Sequence, residues 1–584
     1  MKHIRHILAL SVVLCFCLGM QAVKVDPRPA TVTQADGSRL VVIGHGDADC
    51  HWYETTDGVL LFHEGAFFYI AQTDDEGNLK NSHILAHEKG LRTAKEMEAI
   101  QRQDIQAFLS TPLSTGKDRL KEPVKENSTY FPHTGSPRAI VILAQFQDSV
   151  FMDSDPKSVF QEYLNAEVID KTVGNQTVGR NYGSVRNYFD KMSNGTFLPQ
   201  FDIYGPVTLP GPLKDYGAGN DNMGSFIPDV CELAHQQGLD FSQYDANDDG
   251  YVDLVYIIYA GYAESITGNT TECIWPRSGT IAGGRYDGKI VLRFGVHAER
   301  NGTPTSWDVP RISGIGLFCH EFSHTMGLPD FYPTNKAAQK AGNPAMEYWD
   351  VMDGGEYVSN GYYPTEYTAW EREALGWMTI ETLTESGDYQ MAPLGSEGGK
   401  AFRIPNPADP TGNEYLLLQN IQAKGFNRAL GRVLGHGMLM THVDYDKEAF
   451  TLESNSVNNT VGHSRMTIIP ADGEYISSYS VDNETITNEM YMASHGGDPF
   501  PGTTQTTEIS DIVLYNGEFT AAITNIAEDE ESGIVSFTYT TEQSAIKAVE
   551  ADAAKILWHN LSGQRIDAPS KGIFIHNGKK VVLK

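Results

Sequence analysis

Over much of this chain apolar residues fall in short blocks broken by polar turns, a texture that predicts β-strands. Residues 39–44, 58–62 and 66–70 are such blocks. The pairs Asp36-Gly37, Asp57-Gly58 and Glu64-Gly65 punctuate them, so a small N-terminal sheet is expected. A polar helix is predicted over 93–109, and then a stretch bearing Pro112, Pro123, Pro132 and Pro137 reads as an extended, accessible linker. The pattern changes after Arg138, because residues 139–146 are apolar almost without a break, as in a strand buried on both faces. Beyond it the periodicity predicts a helix at 184–192, a strand at 197–204, a helix at 227–237 and a strand at 254–260. From 379 to 541 short strands return, at 387–392, 414–420, 438–443, 465–470, 509–515 and 533–539, which predicts one or two β-sandwich units.

Candidate chemistry sits between these regions, on a helix beginning near Ser313 whose Ile315, Leu317, Phe318 and Phe322 face a core. It carries His320-Glu321-Phe322-Ser323-His324. Histidines four apart project from one helix face, where both imidazoles reach a single metal ion, and the intervening glutamate stands where a general base is needed. Gly327 lets the helix stop, Pro329 prevents its continuing, and Asp330 is delivered just beyond as a third ligand. Two histidines, one further protein ligand and a position open to water make up a catalytic zinc site. Glu347, Asp350, Asp353 and Glu356 are alternative third ligands, while Tyr332 and Tyr348 are possible oxyanion donors. In 348–355 the tight, Gly-rich turn around Met352 reads either as core filler or as a turn lying under the metal. A helix at 365–375 closes this region.

A second oxygen-rich stretch precedes it. Asp245, Asn247, Asp249 and Asp253 alternate around Gly250, as ligands do in calcium loops. Tyr256 stands where the bidentate glutamate of an EF-hand belongs, so the expectation is a structural calcium loop bracing a strand, and the bland alternative is an Asp/Gly-rich turn.

The chain has 584 residues, too many for one core, and a net charge of −31. That charge argues against nucleic acid or an anionic membrane as partner. Residues 1–22 read as an export signal: Lys2 and Arg5 precede an apolar run at 7–18, with cleavage expected before Val23. Of six cysteines, Cys15 and Cys17 leave with that signal, and Cys50, Cys231, Cys273 and Cys319 remain for one disulfide or as buried thiols.

The motif His320-Glu321-x-x-His324-x-x-Gly327-Leu328-Pro329-Asp330-x-Tyr332, the turn Trp349-Asp350-Val351-Met352 and the helix from Ala369-Trp370 to Gly376-Trp377 together resemble the immune inhibitor A family of secreted bacterial metallopeptidases. The loop running into Val252-Asp253 is similar to one in that family, and 439–444 resembles a strand that follows its catalytic domain. The resemblance implies a zincin-type endopeptidase domain within a multidomain α+β chain, with Asp330 matching the extended motif. The organisation expected is a signal at 1–22, a β-rich propeptide with helix and linker at 23–137, the peptidase domain at 138–378, β-sandwich-type domains at 379–541 and a β tail at 542–584. The tail resembles a type IX secretion sorting domain, through 560–565 and 572–581, which implies the secretion machinery as a partner. Protein or peptide substrates, zinc, and calcium are the partners and cofactors implied. Cys50, in the propeptide-like stretch, is a candidate for blocking the open zinc position in a latent precursor. Two other readings compete with peptide hydrolysis: an adhesin that keeps the shell of the enzyme, and a zinc-dependent deacylase.

Overall fold

The structure, a computed structural model, describes residues 21–22, 25, 29–46, 51–64, 67–74, 78–105, 108, 130–168, 180–217, 222–267, 273–306, 309–482, 484–510, 512–519 and 521–541, with short strands between 558 and 583. The export signal expected at 1–22 lies almost wholly outside them, as does Cys50.

Among the described residues a mixed sheet forms the centre. Its strands lie in the order Gln21–Ala22, Arg277–Tyr286, Lys289–Arg300, Val255–Tyr262, Arg138–Gln145 and Gln200–Thr208, with Tyr251–Val252 pairing beside Lys289–Arg300. From Lys289–Arg300 to Gln200–Thr208 neighbours run parallel, and Arg277–Tyr286 is antiparallel. The apolar run at 139–146 does bury both faces. Ala139, Val141 and Leu143 enter one core, and Ile140, Ile142 and Ala144 enter the other. Tyr256 and Ile258 share the first core, while Val255 and Ile257 share the second. Helix Met223–Gln236 covers the second face with Phe226, Ile227 and Val230. Helices Pro156–Asn165, Val185–Met192 and Ile315–Thr325 cover the first.

Three of these elements carry local signals that the hydrophobic pattern passes over. Pro156–Asn165 opens on Asp155, whose carboxylate accepts from Ser158 N, with Pro156 in the first turn. Strands Arg277–Tyr286 and Lys289–Arg300 form a hairpin whose two-residue loop, Asp287-Gly288, has φ of 50° and 85°. Left-handed backbone at both positions is what a type I′ turn requires.

The N-terminal sheet is an antiparallel meander of Ala30–Thr33, Arg39–Gly46, His51–Thr55, Leu60–Glu64, Phe67–Thr73 and Leu79–Leu85 with its own core. The polar helix is shorter than predicted at Ala94–Ile100, and the reciprocal capping of Thr93 and Glu96 fixes its start. This unit rests on the central one: Lys340 Nζ lies 2.9 Å from both carboxylate oxygens of Glu54, Lys336 Nζ donates to Phe108 O, and the rings of His51 and Trp275 lie 4.5 Å apart.

Two further sheets stack beyond residue 379. One comprises Glu381–Thr382, Ala401–Pro405, Glu414–Ile421, Gly437–Asp444 and Met466–Ile468, and the other Gly387–Met391, Ile534–Thr540 and Ala522–Asp529. Phe402, Leu416, Leu418, Met438 and Met440 face Met391, Val535 and Phe537 across the interior. The opposite face of the larger sheet, with Leu417, Leu439 and Val443, joins the same core as helix Ile315–Thr325. Apolar packing is therefore continuous through the boundary expected at 378–379. Strands Trp558–His559, Arg565–Ile566, Gly572–His576 and Lys579–Leu583 make a small antiparallel sheet at the C-terminal end.

Candidate metal centre

Every residue of helix Ile315–Thr325 is buried. Gly314 offers no capping side chain, and Asn181 supplies one instead, its Oδ1 accepting from Ile315 N at 2.9 Å. Gly316 is obligatory: a Cβ there would stand 2.0 Å from the carbonyl oxygen of Glu356. Gly327, at φ +97°, ends the helix, with its N–H returning to His324 O. That turn brings Asp330 back beneath the helix face bearing the histidines.

His320 Nε2 and His324 Nε2 lie 3.1 Å apart, and Asp330 Oδ1 is 3.2 Å from the first and 3.3 Å from the second. Each Nδ1–H is spent on a carbonyl, His320 on Val351 O at 2.8 Å and His324 on Leu328 O at 2.7 Å. Both Nε2 lone pairs consequently point into the shared space. Val351 belongs to the methionine turn, so that turn acts here through its backbone by orienting His320. Met352 N donates to Asp350 Oδ1, and Met352 O accepts from Phe331 N beside Asp330.

These distances suit a metal. Zinc bonds of about 2.0–2.1 Å at tetrahedral angles place ligand atoms roughly 3.3 Å apart. Charge points the same way, since a buried carboxylate needs a compensating cation. Without a metal that role falls on a proton. Burial disfavours the imidazolium, yet Asp330 outweighs burial at His324 and raises it to about 9. Burial keeps His320 below its ordinary value, and the Asp330 carboxyl, despite burial, is held well below the usual range by the two imidazoles.

Among the described residues, His320, His324 and Asp330 are the one group of histidine, cysteine and acidic side chains gathered closely enough to hold a metal. Of the alternative third ligands, Glu347, Asp350 and Asp353 are engaged elsewhere. Glu347 accepts from Tyr475 Oη, Ser478 N and Tyr491 Oη, Asp353 accepts from Met346 N and Glu347 N, and Asp350 shapes the methionine turn. The carbonyl of Glu356 packs against Gly316 near the start of the helix. Glu321 is fully buried, and its charge acts on both His324 and the Tyr256 phenol. Tyr332 is fully buried; Tyr348 is half-buried, with its ring 5.8 Å from that of Tyr491. Cys231 and Cys319 are buried, unpaired thiols, and burial pushes both up.

One contributor was invisible in the sequence. Asn455, 125 residues beyond Asp330, exchanges two hydrogen bonds with it: Asp330 N donates to Asn455 Oδ1 at 2.7 Å, and Asn455 Nδ2 donates to Asp330 Oδ2 at 2.6 Å.

The loop at 245–253 is closed by its own backbone. Asp249 N and Gly250 N donate to the Asp245 carboxylate, Tyr251 N to Asp249, and Ala246 N to Asp253. A cation already touches it, because Lys289 Nζ lies 2.6 Å from Asp245 Oδ2. Burial, reinforced by Asp245 and Asp249, raises Asp253 to about 6.

Residues 129–379 match the family described as immune inhibitor A peptidase M6, catalytic domain. Immune inhibitor A of Bacillus thuringiensis subsp. alesti is 26% identical over 319 residues, which cover 46% of this chain and 44% of that protein. The pre-pro-metalloprotease PrtV of Vibrio cholerae serotype O1 is 25% identical over 224 residues, covering 34% of this chain and 24% of that one. The match thus spans less than half the length of either relative.

Proposed function

We propose that this chain is a zinc-dependent endopeptidase, exported and made as a latent precursor. The convergence of His320 Nε2, His324 Nε2 and Asp330 Oδ1 within 3.1–3.3 Å carries the reading. Zinc bound there would acidify a water and polarise the substrate carbonyl. Glu321 takes the proton of the attacking water and passes it to the leaving nitrogen. Tyr332 or Tyr348 donates to the oxyanion, and the carbonyls of Val351 and Leu328 keep both imidazoles turned toward the site.

Latency is supported by the N-terminal sheet docked on the central unit. Export rests on residues 1–22, and among the described residues no helix is long and apolar enough to cross a membrane. The C-terminal sheet is assigned to the secretion machinery, on its sequence. Calcium is assigned to Asp245, Asn247, Asp249 and Asp253, where it would displace Lys289 from Asp245.

Casein cleavage by the processed protein tests the central reading. Activity should vanish with a chelator and return with zinc. Glu321→Gln should retain zinc yet lose about 10²–10⁴-fold in turnover. Cleavage that survives either treatment would overturn the mechanism.

A further inference from the structure

Asp330 has two carboxylate oxygens, and only one of them faces the imidazoles. Oδ2 is taken by Asn455 Nδ2 at 2.6 Å, while the Asp330 backbone N–H is taken by Asn455 Oδ1 at 2.7 Å. The two contacts close a ring that fixes both the side-chain rotation and the backbone of Asp330, leaving Oδ1 at 3.2 and 3.3 Å from the histidines. Asn455 is itself anchored: its N–H donates to Thr451 O at 2.9 Å, and its carbonyl accepts from Thr334 Oγ1 at 2.6 Å. Its φ of +42° is a left-handed conformation that asparagine tolerates better than most residues.

Neighbours on the same strap grip the chain just after Asp330. Asn458 Nδ2 donates to Phe331 O at 2.6 Å, and Asn459 exchanges hydrogen bonds with Thr334 through N and Oγ1 at 2.7 Å each. Of these three asparagines, Asn455 is the one bonded to the Asp330 carboxylate.

We infer that Asn455, on a strap from the C-terminal β unit, is a positioning residue for the metal centre, presenting Asp330 Oδ1 as ligand by holding Oδ2. The inference rests on the metallopeptidase reading and deepens it, because it makes the region after residue 379 part of the site. A hydrogen bond to the outer oxygen orients a ligating carboxylate and limits its rotation, and loss of such a partner costs about 10–100-fold in metal affinity.

Zinc affinity of the full chain, measured by chelator competition, and the visible spectrum of the cobalt-substituted protein form the test. Asn455→Gly suits the left-handed backbone and removes both side-chain contacts. Asn455→Asp keeps the size and the acceptor but sets a carboxylate against Oδ2, and it carries the measurement if the glycine variant does not fold. Both should weaken zinc binding about 10–100-fold and shift the cobalt bands. Asn459→Ala, which loosens the same strap and loses a 3.3 Å hydrogen bond to the Asn455 backbone carbonyl while leaving the Asn455 side chain on Asp330, should leave both readouts at wild-type values. Unchanged zinc affinity and cobalt spectrum in the Asn455 variants would overturn the inference, as would an equal loss in Asn459→Ala. Wild-type zinc binding that is indifferent to His324→Ala would instead overturn the metal centre itself, and the inference with it.

Discussion

Lys340 Nζ stands 2.9 Å from each carboxylate oxygen of Glu54, joining the N-terminal sheet to the segment that follows the candidate metal centre. Glu54 also accepts from Trp52 Nε1 at 3.2 Å, and its side chain is almost completely buried. Removing Lys340 leaves a buried carboxylate without its cation, a cost borne only while the sheet is docked. Lys340→Met should therefore speed removal of the N-terminal unit by a limiting concentration of protease. Digestion at the wild-type rate would show that the pair does not hold the sheet in place.

A pH dependence is built into the N-terminal unit. His87 lies between Asp36 and Glu96, Nε2 at 2.8 Å from the first and Nδ1 at 2.9 Å from the second. Burial opposes protonation, but the two carboxylates outweigh it and raise His87 above 6.5. Its hydrogen bonds to His87 and Ser38 hold Asp36 well below its usual range. Glu96 is lowered despite burial, through Thr93 and His87. A raised histidine stabilises the fold below its unfolded value and loses that contribution as pH rises through the folded one. Depressed carboxylates contribute above their unfolded values and lose it as pH falls. The unit should be most stable between about pH 4.5 and 6.5, and its melting temperature should fall from pH 6 to 9. In His87→Gln that decline should flatten, and an unchanged decline would assign it to other groups.

The helix bearing His320, Glu321 and His324 was readable because its pattern is local: four residues make one helical turn, and Gly327 and Pro329 state where it ends. The strand at Arg138–Gln145 was readable because burial on both faces leaves no polar alternation. The hairpin from Arg277 to Arg300 was missed because Gly279, Gly283 and Gly284, with a register shift between Thr280 and Gly284, break the alternation. Its Asp287-Gly288 turn was the available signal. Asn455 had no signal, since its role arises from tertiary proximity alone. The shared core behind Leu417 was likewise unreadable, because an apolar strand does not say which partner covers each face.

Lys289 and calcium compete for Asp245 if the acidic loop binds the ion. The ammonium lies 2.6 Å from Asp245 Oδ2 and 3.3 Å from Asp248 Oδ1. An incoming divalent cation would have to displace it and gather Asn247, Asp249 and Asp253 around Asp245. Calcium should therefore raise the melting temperature of the wild-type protein, and Lys289→Met should bind calcium more tightly in a calorimetric titration. Absence of binding in both proteins would leave the loop as a turn braced by Lys289.

Leu417 tests whether the region beyond residue 379 is a separable module. It lies on the face of strand Glu414–Ile421 that joins the core containing Phe318, Phe322 and Trp370, while its neighbours Leu416 and Leu418 face the second sheet. Truncation to alanine at a fully buried leucine costs about 2–5 kcal/mol through lost burial and the cavity left behind. Because the core is continuous, that cost should reach the helix of His320 and His324. Leu417→Ala should thus lower a single melting transition, followed alike by circular dichroism and by zinc release. Leu416→Ala should do the same only if the two sheets and the central unit unfold together. Two separate transitions, with zinc release unmoved by Leu417→Ala, would show that the C-terminal β unit stands apart from the metal centre.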